Sequence, residues 1–268
     1  MDLYKNLNRT ENYLLNRNLA LLKDFLNKIV GMVSTGEIGG KTFDWIKWQI
    51  EFQGQEYINE FRPYLSKELQ KIFEQACRTA GESIGDMFGG IPTNAMLWFN
   101  ENFLPLADTT MKNYAGDLMR TIENILTAGI ISGTPTDVLT KILAKEIPQT
   151  AKRRVEVMVR DQIGNALQQG IYKTYKEYED VIETYRWVGP SDNRTTKWCR
   201  NRKQITNEEP WTKEEVEKYI SQNPQTLNGL EIRANSGTFL HPHIQCRHRL
   251  LAEPVSKKLF VGQLNTAR

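Results

Sequence analysis

The sequence predicts an α+β fold, with a mainly α-helical N-terminal body followed by a small mixed α/β C-terminal module. Apolar residues recur at helical spacing up to about residue 180, whereas the stretch that begins at Val181 is rich in β-branched and aromatic residues. The charge changes at the same place, because residues 1–185 carry a net charge of −3 and residues 186–268 a net charge of +6. A chain of 268 residues is long enough for two domains.

Composition excludes several classes of protein. With 40% hydrophobic and 25% charged residues, the chain has the composition of a folded protein. Its longest nearly apolar run, Ile125–Ser132, is shorter than the ~18 residues that a membrane span needs, and the N-terminus lacks the pattern of a secretory signal. Three cysteines are too few and too scattered for a disulfide framework, which favours a reducing compartment or a bound metal. Because the longest apolar run is too short to span a membrane, we expect no membrane partner.

The N-terminal body is predicted to be a set of helices. The first has an apolar stripe from Leu15 to Val33 at alternating steps of four and three residues, and Gly36, Gly39 and Gly40 are expected to end it. Such a stripe is typical of a helix that faces a bundle core, and a self-association or partner-binding helix is the alternative. The other predicted helices cover residues 43–60, 66–87, 94–102, 109–131, 136–145 and 150–180, with breaks at 89–92 and at Pro148.

The C-terminal module is predicted to contain short strands and one short helix. A strand covers residues 181–188, and a polar, basic loop follows it. Thr212 and Glu215 form a capping box that opens a helix ending near Ile220. Asn228-Gly229 is a turn signal before a short strand at 230–233, and the last strand candidate covers 247–252.

Histidines and cysteines cluster in this module. All three histidines of the chain, His241, His243 and His248, lie within eight residues of one another, and Cys246 lies among them. Zinc prefers four thiolate and imidazole ligands, so His243, Cys246, His248 and Cys199, which lies 47 residues before Cys246, form a candidate closed, structural zinc site. The alternative is a set of polar loop residues in which Cys246 is buried as a small apolar side chain.

A basic segment lies between the first strand of the module and its capping box. Residues 191–203 contain five basic residues and one acidic residue, with a tryptophan among them. Such a surface can contact phosphates and stack on a base. The candidate nucleic-acid contacts are Arg194, Lys197, Trp198, Arg200, Arg202 and Lys203. The alternative is a solvated loop in which Asp192 caps a turn and pairs with Arg194.

Several of these residues also resemble a known family. The residues that carry the resemblance are Trp187, Asp192, Arg194, Thr195, Cys199, Pro242, His243, Cys246 and Arg247. Their order is similar to the C-terminal domain of phage minor head proteins, the head-morphogenesis family named after the F protein of phage Mu, over about Ala151–Pro254. Members commonly read aspartate-x-Arg-Thr-Cys-x-x-Cys and then His-Pro-x-Cys-Arg-Cys. Thr196 stands at the first cysteine of that pattern and His248 at its last, and only the second exchange keeps a zinc ligand.

The resemblance implies a structural virion protein without catalytic activity. It implies a place inside the head, near the portal, with a stay in the host cytoplasm during assembly, and a role in head assembly, DNA packaging or DNA delivery. We expect a helical body at 1–149 that binds the portal, major capsid or scaffold protein, a Mu F-like domain at 150–255 that faces packaged double-stranded DNA, and a tail at 256–268.

Two other classes of function stay open. The sequence contains no nucleophile–base pair, P-loop, Rossmann glycine pattern or HExxH, so we find no enzyme motif. A metal-dependent nuclease or toxin-like effector carried in the virion would use His241, His243 and Asp192 as candidate catalytic groups. A DNA-binding module without capsid association is the second alternative.

Overall fold

The computed structural model describes residues 3–35, 43–85, 90–234, 237–243 and 246–255, and it confirms the α+β class. The helices are α1 Leu3–Ser34, α2 Phe43–Ile84, α3 Thr93–Trp98, α4 Leu104–Ile131, α5 Thr136–Glu177, α6 Lys197–Glu208 and α7 Lys213–Gln222. The strands are β1 Ile182–Val188, β2 Thr226–Leu227, β3 Leu230–Glu231 and β4 Arg249–Pro254. The tail predicted at 256–268 and the glycines predicted to end the first helix lie outside the described residues.

The predicted helices at 43–60 and 66–87 form one helix, because α2 runs through Pro63, and the break predicted at Pro148 is wrong, because α5 runs through it. A proline inside a helix removes a hydrogen bond and costs about 3 kcal/mol. Burial of a large apolar side chain contributes about 1.5–3 kcal/mol, so a few buried neighbours offset that cost. The buried neighbours of the two prolines include Phe61, Leu65, Ile147 and Ala151.

The break predicted between residues 102 and 109 is also absent. A π-helical turn, Phe99–Phe103, connects α3 directly to α4. Both of its terminal phenylalanines are buried. Pro105 lies in the first turn of α4, directly after this π-helical turn.

The chain divides into two compact units that are discontinuous in sequence, unlike the linear division predicted at residue 150. The first unit comprises Met1–Leu69 and Asn102–Gln162, and its core contains most of the predicted apolar stripe of α1 and a similar stripe on α4. Leu15, Leu22, Leu26, Ile29 and Val33 of α1 and Met111, Ala115, Leu118 and Ile122 of α4 are buried. Asn18 is buried in the same face of α1, which the spacing of apolar residues could not reveal.

The second unit comprises Gln70–Glu101 and Ile163–Arg268 and contains the mixed module. Here α5 approaches α2 closely at Gly170, since a Cβ atom there would lie 2.8 Å from both the Ala76 Cβ and the Phe73 carbonyl oxygen. Strand β1 pairs antiparallel with β4, and β2 pairs with β3 around Asn228 and Gly229, which have φ angles of 51° and 75°. The capping box at the start of α7 is present as predicted.

Within the described residues, no helix combines the length and hydropathy that a membrane crossing requires.

Candidate metal centre in the C-terminal module

The segment predicted as a basic loop contains α6, and the first turn of this helix carries Cys199. Thr196 is the N-cap residue, and its Oγ1 accepts a hydrogen bond from the Cys199 N–H at 3.5 Å. The buried residues of α6 are Cys199, Arg202, Ile205 and Thr206. Because only one of the four is a typical core residue, the helical periodicity of this segment is not visible as an apolar pattern.

The other candidate ligands lie in the segment that leads into β4. Cys246 and His248 come directly before this strand, and the Cys246 N–H donates to the His243 carbonyl oxygen at 3.2 Å. The side-chain amide of Gln168 on α5 donates to the His248 carbonyl oxygen at 2.6 Å. This buried contact fixes the backbone that carries His248 against the long helix.

The fold brings these two segments together around the sulfur atoms. Cys199 Sγ lies 3.5 Å from Cys246 Sγ and 3.2 Å from His243 Nε2. Cys199, Cys246 and His248 each offer a ligand atom, and these three atoms lie within 4.8 Å of one another. The same three residues are 0%, 8% and 2% exposed. Three of the four predicted ligands therefore form one group, and His243 adjoins it through its contact with Cys199.

The donor set and its spacing fit zinc. A tetrahedral zinc ion holds two sulfurs ~3.8 Å apart, and a sulfur and a nitrogen ~3.6 Å apart. The measured separations of 3.5 Å and 3.2 Å are a few tenths of an ångström shorter. The two sulfurs are also far beyond the ~2.05 Å of a disulfide, and both cysteines are free thiols. Bound zinc would supply a structural cross-link between α6 and the segment before β4.

The electrostatics of the sulfur pair favour a bound cation. A hydrogen bond from the Cys246 thiol, together with those from His243 and His248, holds the pKa of Cys199 well below its usual range. The same hydrogen bond and burial raise the pKa of Cys246. Cys199 also lies in the first turn of α6, where the backbone dipole stabilises an anion.

Two glycines make room for imidazole rings. A Cβ atom at Gly189 would lie 2.5 Å from ring atoms of His248, and one at Gly164 would lie 2.9 Å from His241 Cδ2. The space beside Gly164 is therefore occupied by this ring. His241 is buried beside α5.

The structure corrects one predicted nucleic-acid contact, Arg202. Its side chain is fully buried, with the guanidinium 4.7 Å from the Trp187 ring and 4.6 Å from the Phe239 ring. Nε donates to the Ile232 carbonyl oxygen at 2.5 Å, and another nitrogen donates to the Phe239 carbonyl oxygen. Burial lowers the pKa of Arg202 to about 10, while the sulfurs of Cys199 and Cys246 oppose that change. This cation is part of the interior beside the cluster and cannot contact a phosphate from there.

The other predicted basic contacts lie closer to solvent. Arg194, Lys197 and Arg200 are exposed, and Lys197 pairs with Glu231 at 3.2 Å. The Lys203 ammonium instead donates to the Gly189 carbonyl oxygen at 2.9 Å and to Ser191 Oγ at 2.8 Å. The Trp198 ring lies 6.3 Å from the His243 ring. The exposed part of the predicted surface is therefore formed by three cations.

The candidate catalytic groups of the nuclease hypothesis are held in other contacts. The Asp192 carboxylate binds Arg247, and the His243 ring contacts Cys199 and Thr196. His241 is buried against α5. These contacts give the nuclease hypothesis no support from geometry.

The remaining motif residues have structural contacts in the same module. Trp187 is buried, and its backbone N–H donates to Thr206 Oγ1 at 3.0 Å. Buried Thr195 donates to the Pro190 carbonyl oxygen at 2.8 Å. The backbone of Pro242 packs against Gly237.

Fold and cluster together define a small α+β module with a buried group of cysteine and histidine side chains. The family model described as Phage Mu protein F like protein matches residues 120–248, which include all of the motif residues and the four candidate ligands. The match confirms the predicted resemblance of this C-terminal part of the chain to that family. The family indicates a virion protein of phage head morphogenesis. Neither the curated proteins nor the solved structures that were searched contain a match to the chain.

Proposed function

We propose that the protein is a structural minor component of a phage head, located inside the head and associated with the portal. There it assists head assembly, DNA packaging or DNA delivery. The match of residues 120–248 to the Mu F-like family is the observation that carries this proposal.

The experiment that tests this proposal is to locate the protein in intact particles. A tagged copy, expressed during infection by the phage that carries this sequence, is expected to remain with DNA-filled heads and to be protected from added protease. Chemical cross-linking of these heads is expected to join it to the portal protein. Absence from both proheads and mature heads would overturn the proposal, and presence without any portal cross-link would overturn its portal association.

The zinc-binding role of the C-terminal module is part of the proposal. The spacing of Cys199, Cys246, His243 and His248 supports it, as does the low pKa of Cys199. Purified full-length protein is expected to contain about one zinc per chain, and removal of the metal with a chelator is expected to lower the melting temperature. A metal-free chain with unchanged melting temperature would contradict it.

Contact with packaged DNA would use the exposed cations of the same module. Arg194 and Arg200 are exposed and form no ion pair with any residue that the structure describes. Binding to duplex DNA is expected to weaken steeply as salt rises, because phosphate contacts release counterions. The double variant R194Q/R200Q is expected to lower the slope of log K against log salt by about 2, since each lost phosphate contact removes ~0.9.

A matched variant separates a specific surface from net charge. K213Q/K218Q removes the same charge from exposed positions of α7 in the same module and is expected to leave the slope nearly unchanged. Equal effects of the two double variants would contradict a DNA surface at the start of α6. DNA binding by the free protein, combined with absence from particles, would instead favour the stand-alone DNA-binding module.

For the helical body, the feature that supports a protein partner is an aromatic pair on α2. Trp48 and Phe52 are 55% and 46% exposed, and their ring centroids are 5.5 Å apart. Aromatic residues are enriched in the buried centres of protein interfaces. The variant W48S/F52S is expected to reduce incorporation into heads, whereas K47S/E51S on the same helix is expected to incorporate normally. Normal incorporation of W48S/F52S would overturn a partner contact there.

A further inference from the structure

The proposed zinc ligands come from two segments that are far apart along the chain. Cys199 lies in the first turn of α6, and Cys246 and His248 lie just before β4, 47 residues later. Bringing the two ends of this 47-residue stretch together costs conformational entropy. If no other contact joined the two ends, the free energy of metal binding would have to offset the whole cost. Contacts that join the two segments without the metal would remove part of that cost.

One ion pair joins these two segments directly. Arg247, the residue between the two ligands Cys246 and His248, donates from both terminal nitrogens to the two oxygens of Asp192, at 2.7 Å and 2.5 Å. Two parallel hydrogen bonds between a guanidinium and a carboxylate fix orientation as well as distance. The Arg247 side chain thus extends from the segment before β4 to the loop in front of α6.

The Asp192 end of this pair is itself held in place. Oδ1 of Asp192 accepts from the Arg194 N–H at 3.0 Å, and the Asp192 backbone N–H donates to the Thr195 hydroxyl oxygen at 3.1 Å. Thr195 is buried, and the next residue, Thr196, is the N-cap of α6. A short, hydrogen-bonded path therefore runs from Arg247 through Asp192 to the helix turn that carries Cys199.

A third contact attaches the same loop to the body of α6. The Lys203 ammonium donates to the carbonyl oxygen of Gly189 and to the hydroxyl of Ser191, at 2.9 Å and 2.8 Å. The loop is thus tied to α6 at one end and to the Cys246–His248 segment at the other. An ion pair placed this way sets the distance between the two ligand segments.

We propose that Asp192 and Arg247 form a positioning pair for the metal centre: neither binds the metal, and together they hold the two ligand-bearing segments in register before it binds. This inference rests on the zinc site proposed above. An ion pair at the surface contributes little to folding stability, so the main effect of this pair is on metal binding rather than on global stability. Loss of residues that orient metal ligands typically weakens metal binding 10–100-fold.

The experiment measures zinc affinity of the full chain by competition with a chromophoric chelator at fixed pH. D192N is expected to weaken zinc binding 10–100-fold. R247K, which keeps the positive charge but lacks the planar fork, is expected to weaken it by a similar factor. The exchange D192R/R247D, which restores an ion pair with the partners reversed, is expected to recover part of the loss. Thermal unfolding of the metal-free forms shows whether each variant is folded.

The matched control is E231Q, which removes the exposed Lys197–Glu231 ion pair at the start of the same helix. It is expected to bind zinc as tightly as the wild type. Wild-type affinity in folded D192N and R247K would overturn the positioning role while leaving the zinc site intact. Equal weakening by E231Q and D192N would overturn it too, because any lost charge near α6 would then suffice. Absence of zinc binding by the wild type would overturn the zinc site itself and this role with it.

Discussion

The two compact units of the chain bury different kinds of side chain. In the unit made of Met1–Leu69 and Asn102–Gln162, the buried polar residues that the structure describes are Asn18, Glu68 and Gln162. In the unit made of Gln70–Glu101 and Ile163–Arg268, they are Gln168, Thr174, Thr195, Arg202, Thr206, His241 and His248. The first core is therefore stabilised mainly by apolar burial, which tolerates change gradually, and the second also by polar contacts that fail when one partner is removed.

This difference predicts which substitutions affect the proposed metal site. Changes to the helical unit should alter stability and leave metal binding unchanged. Changes to Cys199, Cys246, His248 and the buried polar residues around them should alter both stability and metal binding.

The largest expected effect is on the cysteine cluster. C199S and C246S are each expected to reduce bound zinc from about one per chain to near zero and to lower the melting temperature of the full chain, because structural zinc sites contribute directly to folding. Metal analysis and calorimetry measure the two effects. C77A, which alters the third buried cysteine of the same unit, is expected to retain zinc. An unchanged zinc content in C199S and C246S would contradict the zinc site, and with it the predicted difference between the two units.

A core truncation in the helical unit comes next in size. Leu22 is buried in α1, and L22A is expected to cost about 2–5 kcal/mol of unfolding free energy through lost burial and a cavity. Urea unfolding measures that loss, and chelator competition is expected to return the wild-type zinc affinity. A large change in zinc affinity would show that the two units do not behave independently.

Two glycine substitutions are expected to have different effects: one weakens zinc binding, and the other raises the stability of the chain. At Gly189 a Cβ would lie 2.5 Å from the His248 ring, so G189A is expected to displace the ring and weaken zinc binding by at least tenfold. At Gly116 in α4 nothing lies within 4 Å of the added atom, so G116A is expected to stabilise the chain by about 1 kcal/mol. Chelator competition and urea unfolding distinguish the two. Equal zinc affinity in both variants would count against close packing of His248.

The smallest expected effect concerns pH. The hydrogen bonds from Arg247 hold the pKa of Asp192 well below its usual range. The stabilisation from this carboxylate is therefore complete above the ordinary aspartate pKa of about 4 and is lost as pH falls through the lower folded value. The small difference in urea midpoint between wild type and D192N should be constant at neutral pH and shrink below about pH 4. A difference that grows on acidification would contradict the ion pair.

Local sequence signals predicted the parts of the fold whose stability is local. The capping box at Thr212 and Glu215, the Asn228-Gly229 turn and the stripe on α1 all have short-range causes, and all are present. The chain stays helical at Pro63 and Pro148 because a local penalty of about 3 kcal/mol is smaller than the burial gained on both sides of each proline.

For the candidate site, the sequence predicted the ligand types but not the environment that holds them. The helix α6 was not predicted, because its buried face contains a cysteine, an arginine and a threonine and therefore shows no helical spacing of apolar residues. Arg202 was predicted at the surface for its charge, and the rings of Trp187 and Phe239 keep it in the interior. Such stacking depends on residues 15 and 37 positions away in the chain.

By itself, the sequence determined the α+β class, the family resemblance of the C-terminal part and the cysteines and histidines available to a metal, because these depend on residue identity and short-range spacing. Only the tertiary structure decided that Cys199 meets Cys246 and His248, that His241 packs against Gly164, and that Asp192 pairs with Arg247 as well as capping its own turn. These contacts join segments tens of residues apart. Their geometry follows from how the helices and the β1–β4 pair pack, which no local pattern records.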